Sequence, residues 1–412
     1  AQLREICADG ELPPFARQPL FARYGAAVDI GTTTLAAQLY DHDGRRLAQA
    51  VAANPQAMFG ADVISRIEKS LAGEREALMR CIRRGIDGLL AELSASAGVS
   101  PSDIDAVVVT GNTTMLYLLT GRSVDCLARA PFAADELFGR WAQAGEVELA
   151  SVPSARVYLP RCMSAFVGAD ITTALLCSGL CERPNSALLA DIGTNGELAL
   201  WHGGRLRCCS TAAGPVFEGA GISCGMQGVA GAVSHVLWEN GAVRCRTIGG
   251  GEPRGICGSG IIDAAAVFCG QGIIDETGAF TGGRTDYALA TGVTVTQKDI
   301  RMLQLGKSAV CAGIRTLLEA AGLTPEALTE LSVAGGFGTY LDIRNAAAIG
   351  LYPAELEGKT KVLGNAALAG AAMLLLAEPY VQKSCALAQQ AETVDLSTSA
   401  VFMAHYVDCM EF

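Results

Sequence analysis

No stretch of this 412-residue chain reaches the roughly 18 consecutive apolar, uncharged residues that a membrane-spanning helix needs. The first residues, Ala1-Gln-Leu-Arg-Glu-Ile-Cys7, carry early charges and lack the apolar core of a secretion signal. Both absences lead to the expectation of a cytoplasmic protein with no membrane partner. Clustered positive charge is also missing. A net charge of −11 argues against a nucleic-acid partner, because neutralising phosphates takes grouped Lys and Arg. It fits a soluble enzyme that docks a specific protein. Aromatic residues are scarce at 6%, while half the chain is apolar and 48 residues are Gly, which suits closely packed α/β layers with short turns. Cysteine is plentiful at 15, but no C-x-x-C pair and no C-x₄-C-x₂-C run of the plant-type ferredoxin kind occurs. The tightest groupings are Cys177 with Cys181 and the vicinal Cys208-Cys209. The expectation is therefore reduced structural thiols, with no iron–sulfur cluster in this chain.

What the chain does contain is a repeat. Ala187-Leu-Leu-Ala-Asp-Ile-Gly-Thr-Asn-Gly-Glu-Leu-Ala-Leu200 is nearly copied from Ala26-Ala-Val-Asp-Ile-Gly-Thr-Thr-Thr-Leu-Ala-Ala-Gln-Leu-Tyr40. In each, an apolar strand runs into Asp-Ile-Gly-Thr, turns, and leaves as a second strand. A third strand follows a tight turn, at Asp41-His-Asp-Gly44 in one copy and His202-Gly-Gly204 in the other. A hairpin repeated in this way predicts a duplicated fold in which each half supplies one polar turn.

The rest of the chain is ordered around these copies. Residues 1–24, with Pro13-Pro14 and Pro19, read as a tail or linker. A helical region resumes at 74 and runs to about 97. Residues 105–114 read as a buried strand entering a polar turn, with a helix at 115–119, and 124–160 as loop. Residues 166–179 and 364–373 are helices with small residues three to four apart. Residues 275–296 read as short strands. An amphipathic helix at about 296–321 carries the stripe Ile300, Leu303, Val310, Ile314 and Leu317. A strand at 331–334 enters a Gly turn, followed by a helix at 344–349, and 392–396 and 399–410 read as a final strand and helix.

The order of these elements is similar to that of the actin, sugar kinase and Hsp70 ATPase superfamily, with its two phosphate loops, two connecting helices and adenosine loop. The resemblance implies an α/β, duplicated ribonuclease H-like (actin-like ATPase) fold, with two lobes around a nucleotide cleft. The lobes would be 25–165, completed by about 364–412, and 166–363. The chemistry can be given piece by piece. Gly31 and Gly193 let the turns present bare backbone N–H groups to phosphate oxygens, and Thr32, Thr33, Thr194 and Asn195 add side-chain hydrogen bonds. Asp29 and Asp191, at strand ends, would hold hydrated Mg²⁺ and orient the attacking water. Gly335 and Gly336, with Phe337 in the same loop, would let purine and ribose lie against the backbone. Gly258 and Ser259 start a helix whose amides could take an anion, or form a plain tight turn. Lys307 sits within the apolar stripe, where a buried charge needs a partner: a nucleotide phosphate or ribose hydroxyl, or else water reached by snorkelling. Asp170 resembles the acidic residue of the first connecting helix that assists the catalytic water, and Glu197 and Glu218 are weaker candidates. Close crossing of the two small-residue helices would let the lobes shear as nucleotide comes and goes.

Several stretches go further: Phe59-Gly-Ala-Asp-Val-Ile-Ser-Arg-Ile67, Val109-Thr-Gly-Asn-Thr-Thr-Met115, Ala213-Gly-Pro-Val-Phe-Glu-Gly219, Gly255-Ile-Cys-Gly-Ser-Gly260, Thr296-Gln-Lys-Asp-Ile300, Ala334-Gly-Gly-Phe-Gly338 and Leu363-Gly-Asn-Ala-Ala367. Together they resemble the RACo-type reductive activators of corrinoid proteins, over about residues 25–412. The resemblance implies an ATPase that binds a corrinoid protein and returns Co(II) cobalamin to Co(I) for a methyltransferase, with ATP and Mg²⁺ as cofactors and a homodimeric state. Such proteins also carry an iron–sulfur domain, either N-terminal or as a ferredoxin-like C-terminal extension; this sequence shows neither, so the expectation is either a separate ferredoxin-like electron donor or clusters in a part outside this sequence. A small-molecule kinase of the same fold, a nucleotide-dependent scaffold and a relative of the 2-hydroxyacyl-CoA dehydratase activators stand as alternatives.

Overall fold

The computed structural model describes residues 12–412 except 144 and 337–339. The chain divides into two compact units. One comprises the residues up to Glu182 together with Asn365–Thr393, and the other Arg183–Gly364 with Val394–Phe412. The helix Ala169–Ser178 thus belongs to the first unit and the C-terminal segment to the second.

In the first unit, β1 (Tyr24–Ile30), β2 (Thr34–Asp41) and β3 (Arg46–Ala53) form an antiparallel meander, and β4 (Ile104–Gly111) pairs parallel to β1. Two short strands, β5 (Arg140–Trp141) and β6 (Arg156–Leu159), extend the sheet to the order β3-β2-β1-β4-β6-β5. They lie in the region expected to be loop, because strands of two and four residues leave too few alternating positions to read. The central strand β1 is apolar on both faces, as a strand covered on both sides must be. Ala26, Val28 and Ile30 join one core with Leu78, Ile82, Ile86 and Leu89 of the helix Arg75–Ala97. Gly25, Ala27 and Asp29 alternate to the other face, where a Cβ on Gly25 would come within 2.8 Å of Leu375 in the helix Ala366–Leu376. That helix crosses Ala169–Ser178 so closely that a Cβ on Gly370 would lie 1.8 Å from the Thr173 carbonyl oxygen. Here the expected small-residue crossing is realised, and only glycine fits at its centre.

The second unit repeats the plan. β7 (Ala187–Ile192), β8 (Gly196–His202) and β9 (Arg205–Thr211) form the meander. A Gly-rich region without readable strand alternation holds the hairpin β10 (Ala232–Glu239) and β11 (Ala242–Thr247), with β12 (Gly255–Ile256) beside β10. A further hairpin, β13 (Asp286–Ala290) and β14 (Val293–Thr296), leads into the helix Gln297–Ala320. Thr296 and Asp299 cap that helix reciprocally. Its Ile300, Leu303, Val310, Ile314 and Leu317 are buried in one core with Leu188, Ala190 and Ile192 of β7. β15 (Glu330–Ala334) pairs parallel to β7, and β16 (Thr360–Gly364) parallel to β15.

Strand register makes the duplication explicit. Asp29 is the sixth residue of β1 and lies beside Thr110 of β4, just before Gly111; Asp191 is the fifth of β7 and lies beside Ala334 of β15, just before Gly335. Both glycines pass over the turn of the neighbouring hairpin. A Cβ on Gly111 would lie 2.9 Å from the Ile30 carbonyl oxygen, and one on Gly335 2.4 Å from that of Ile192. Two independent turns therefore need glycine at the same place for the same steric reason.

Candidate functional site

Each unit carries a polar turn at the end of its central strand. In the first, the Gly31 amide closes the turn onto the Thr34 carbonyl at 2.9 Å. The turn's carbonyl oxygens are held from behind. Asn54 Nδ2 donates to Gly31 O at 2.8 Å, the Asn54 amide donates to Thr33 O at 2.8 Å, and Arg66 Nη2 donates to Thr32 O. In a trans peptide the carbonyl of one residue and the N–H of the next point in opposite directions. Pulling the Gly31 and Thr32 carbonyls back therefore aims the Thr32 and Thr33 amides forward, the polarity an anion requires. Arg66 is itself wholly buried, its Nε donating to Gly60 O at 3.0 Å and its Nη1 contacting Gln56 Oε1 and Met115 Sδ. Its guanidinium is a structural brace for the turn.

Asp29 is half-buried beside this turn and accepts a 2.9 Å hydrogen bond at Oδ2 from Asn365 Nδ2. Asn365 also caps the helix Ala366–Leu376, its Oδ1 accepting from the Leu368 amide at 2.8 Å. Burial raises the Asp29 carboxyl to about 6, and the Asn365 hydrogen bond pulls the other way. On the adjoining strand, the Thr110 hydroxyl meets that of Thr173 at 3.1 Å, tying β4 to the helix Ala169–Ser178. Asp170 stands in the first turn of that helix, with Oδ1 accepting from the Ile171 amide at 2.9 Å. A Cβ on the preceding Gly168 would lie 2.4 Å from Asn112 Cα, so the helix start rests on the Asn112–Thr113 turn. Thus Asp29, Gly31, Thr32 and Thr33 share one locality, with Asn365 bonded to it, and Thr110 links it to the helix that carries Asp170.

In the second unit the Gly193 amide closes its turn onto Asn195 O at 2.9 Å. Asp191 is half-buried, and its Oδ1 lies 3.2 Å from the position of a Cβ on Gly335, so this carboxylate and the Gly335-Gly336 turn are neighbours. Glu218 sits on the turn itself. Its Oε1 accepts from the Thr194 amide at 3.1 Å and its Oε2 from the Thr194 hydroxyl at 3.0 Å. Glu197 faces Asp191 across the β7–β8 pair. Phe337 lies outside the described residues.

Gly258 and Ser259 are packed into the interior. A Cβ on Gly258 would lie 1.9 Å from Phe217 O, and the Ser259 hydroxyl donates to Ser234 O at 3.1 Å. Lys307 departs from the expected ligand role. It is buried, and its ammonium donates to Cys409 O at 2.6 Å and to Glu411 O, with the Phe412 ring 5.0 Å away. The partner its charge needs is thus the chain's own C-terminal backbone; burial lowers its titration to about 8. The described cysteines are all free thiols, and no group of His, Cys, Asp or Glu suited to holding a metal ion occurs among the described residues. No described helix is long and apolar enough to cross a membrane.

The residues that sequence reasoning left out are Arg66, Asn54 and Asn365, while Glu218 stands there only as a weaker candidate. Two had a readable signal: Asn54 precedes a proline at a turn, and Asn365 stands in the N-cap position before an apolar run. Nothing local marks Arg66, whose partner on the turn is 34 residues away, or fixes the role of Glu218, whose partner is 24 residues away.

Comparison with known proteins bears on both units. The RACo middle region matches residues 24–183, and the C-terminal domain of RACo, the ASKHA domain, matches 185–412. The corrinoid activation enzyme RamQ of Eubacterium limosum is 34% identical over 93% of this chain and 69% of its own length. The [Co(II) methylated amine-specific corrinoid protein] reductase of Methanosarcina barkeri is 26% identical over 93% of this chain and 76% of its own. Among solved structures, a reductive activator for corrinoid, iron–sulfur protein superposes with a TM-score of 0.86 at 34% identity, covering 96% of this chain and 67% of that one.

Proposed function

Because this chain belongs to the RACo family, and has its ASKHA-type fold, we propose that it is an ATP-binding and ATP-hydrolysing activator of a corrinoid protein. In this reading it drives the return of Co(II) to Co(I) for a methyltransferase system, with electrons from a separate donor. The observation that carries the nucleotide part is the paired turn, with an Asp at the strand end and a glycine crossing behind it in both units.

The roles follow from the chemistry of each group. The forward-facing amides of Thr32 and Thr33 together with their hydroxyls, and the polar groups of Thr194 and Asn195 in the second turn, bind phosphate oxygens. Asp29 and Asp191 offer hard oxygen ligands that fit Mg²⁺ held through water, and an Asp29 carboxyl raised to about 6 is one that gains from a nearby cation. Mg²⁺ bound there would neutralise phosphate charge and polarise the bond that breaks. Asp170 orients the attacking water, and Gly335 with Gly336 leaves room for the adenosine. Asn365 fixes the orientation of Asp29. ATP hydrolysis supplies the free energy for an electron transfer that is uphill by itself.

Nucleotide binding tests the site. Purified wild-type chain is expected to bind Mg-ATP, and both Asp29→Ala and Asp191→Ala are expected to weaken binding or stop turnover. Unchanged binding and turnover in both variants would refute the assignment.

A further inference from the structure

The second turn holds an anion of its own. The Glu218 carboxylate takes the Thr194 amide with one oxygen and the Thr194 hydroxyl with the other, at 3.1 and 3.0 Å. Its Oε1 also lies 3.1 Å from the place of a Cβ on Gly193, so the carboxylate is seated directly over the glycine of the turn. These are the donors that a phosphate oxygen would use. A carboxylate and a phosphate cannot share one amide, and their charges repel. We infer that Glu218 is the resident anion of the second turn, displaced by the incoming nucleotide phosphate, and that it thereby sets nucleotide affinity. The inference rests on reading the turn as a phosphate site.

The displacement falls on the side chain. Glu218 ends the short turn Pro215–Glu218, in which Val216 and Phe217 are fully buried. The Phe217 carbonyl is pinned against Gly258 at the start of the helix Gly258–Gly270, where there is no space for even a methyl group. With the backbone fixed at Phe217, the half-buried carboxylate can leave by rotating about its own bonds. Until it does, it keeps the Thr194 amide and hydroxyl satisfied, so the turn holds its shape. The same contact that preserves the turn therefore opposes nucleotide.

These two effects have opposite signs, and that is the test. Binding of Mg²⁺ with the non-hydrolysable analogue AMPPNP would be measured by calorimetry on wild-type chain, Glu218→Ala, Glu218→Gln and Asp191→Ala, with melting temperatures taken with and without nucleotide. Glu218→Ala is expected to bind Mg-AMPPNP roughly tenfold more tightly, the scale of one charge-assisted hydrogen bond no longer competing. It is also expected to melt lower than wild type when empty. Glu218→Gln, which keeps the shape without the charge, is expected to fall between, and it serves should the alanine variant fold poorly. A purely structural role would lower both affinity and melting temperature, and a role in holding the metal would lower affinity alone; either result overturns displacement. If wild type binds Mg-AMPPNP and Asp191→Ala does not, while neither Glu218 variant tightens binding, displacement fails and the phosphate site stands. If wild type does not bind at all, the phosphate reading fails and takes displacement with it.

Discussion

Replacing Asp29 with Asn should make the empty protein more stable, and by an amount that depends on pH. Burial raises the Asp29 carboxyl to about 6 from an ordinary value near 3.8. A shift of about two units corresponds to roughly 3 kcal/mol of preference for the protonated form in the folded state. The sign follows from linkage. The folded chain holds this proton more tightly than the unfolded chain does, so Asp29's contribution to stability is full below about pH 4 and is lost as pH rises through about 6. At pH 7.5 the folded protein bears the whole cost of a buried carboxylate. Asn cannot ionise, yet its side-chain oxygen can still accept from Asn365 Nδ2, which sits 2.9 Å from Asp29 Oδ2. Asp29→Asn should therefore gain about 1–3 kcal/mol at pH 7.5, allowing for the weaker neutral hydrogen bond, and the gain should shrink steadily toward pH 5.5. Urea unfolding of the nucleotide-free chain, followed by circular dichroism across that range, measures both. A variant less stable than wild type at pH 7.5, or a gain that does not change with pH, would refute the reasoning. Sites that bind charge commonly carry such a cost in the empty state.

Three more outcomes follow from named contacts. In wild type, Mg-ATP turnover should fall as pH drops through about 6, because the proton on Asp29 competes with the cation; a rate flat from pH 7.5 to 5.5 would count against Asp29 as a metal-facing group. Arg66→Met should cost about 3 kcal/mol, since it strips buried hydrogen bonds from Gly60 O and Thr32 O, and should weaken nucleotide binding as the first turn loses its brace; a variant with wild-type stability and affinity would contradict this. Lys307→Met should free the C-terminal segment, whose Cys409 and Glu411 carbonyls it holds, so that limited proteolysis removes that segment faster than in wild type; equal protection would argue against anchoring.

How far the sequence could be read depended on the distance over which each feature is determined. The two hairpins were legible because strand, turn and strand are contiguous, and Asp-Ile-Gly-Thr recurs in the same setting. The helix Gln297–Ala320 was legible because its stripe is periodic and Thr296 and Asp299 mark its start. The crossing of the two small-residue helices could be foreseen from composition, although only the structure identifies Gly370 against Thr173 as its tightest point. Partnerships between residues distant in the chain were not legible. Asn365 is bonded to Asp29 across 336 positions. Arg66 looks like an ordinary surface charge until the fold brings it to its turn, and Glu218, a weaker candidate in the sequence, finds its partner only there. Lys307 is the mixed case: periodicity placed it inside, but its partners lie 102 and 104 residues away, at the end of the chain.

The most direct test of the central claim is optical. The full chain would be mixed with a Co(II) corrinoid protein and a low-potential reductant, and the Co(I) absorbance followed with and without Mg-ATP. Co(I) is expected to accumulate with ATP and to stay at background when ATP is omitted, when AMPPNP replaces it, or when Asp29→Ala replaces the wild-type chain. Equal Co(I) with and without ATP would contradict an ATP-driven activator.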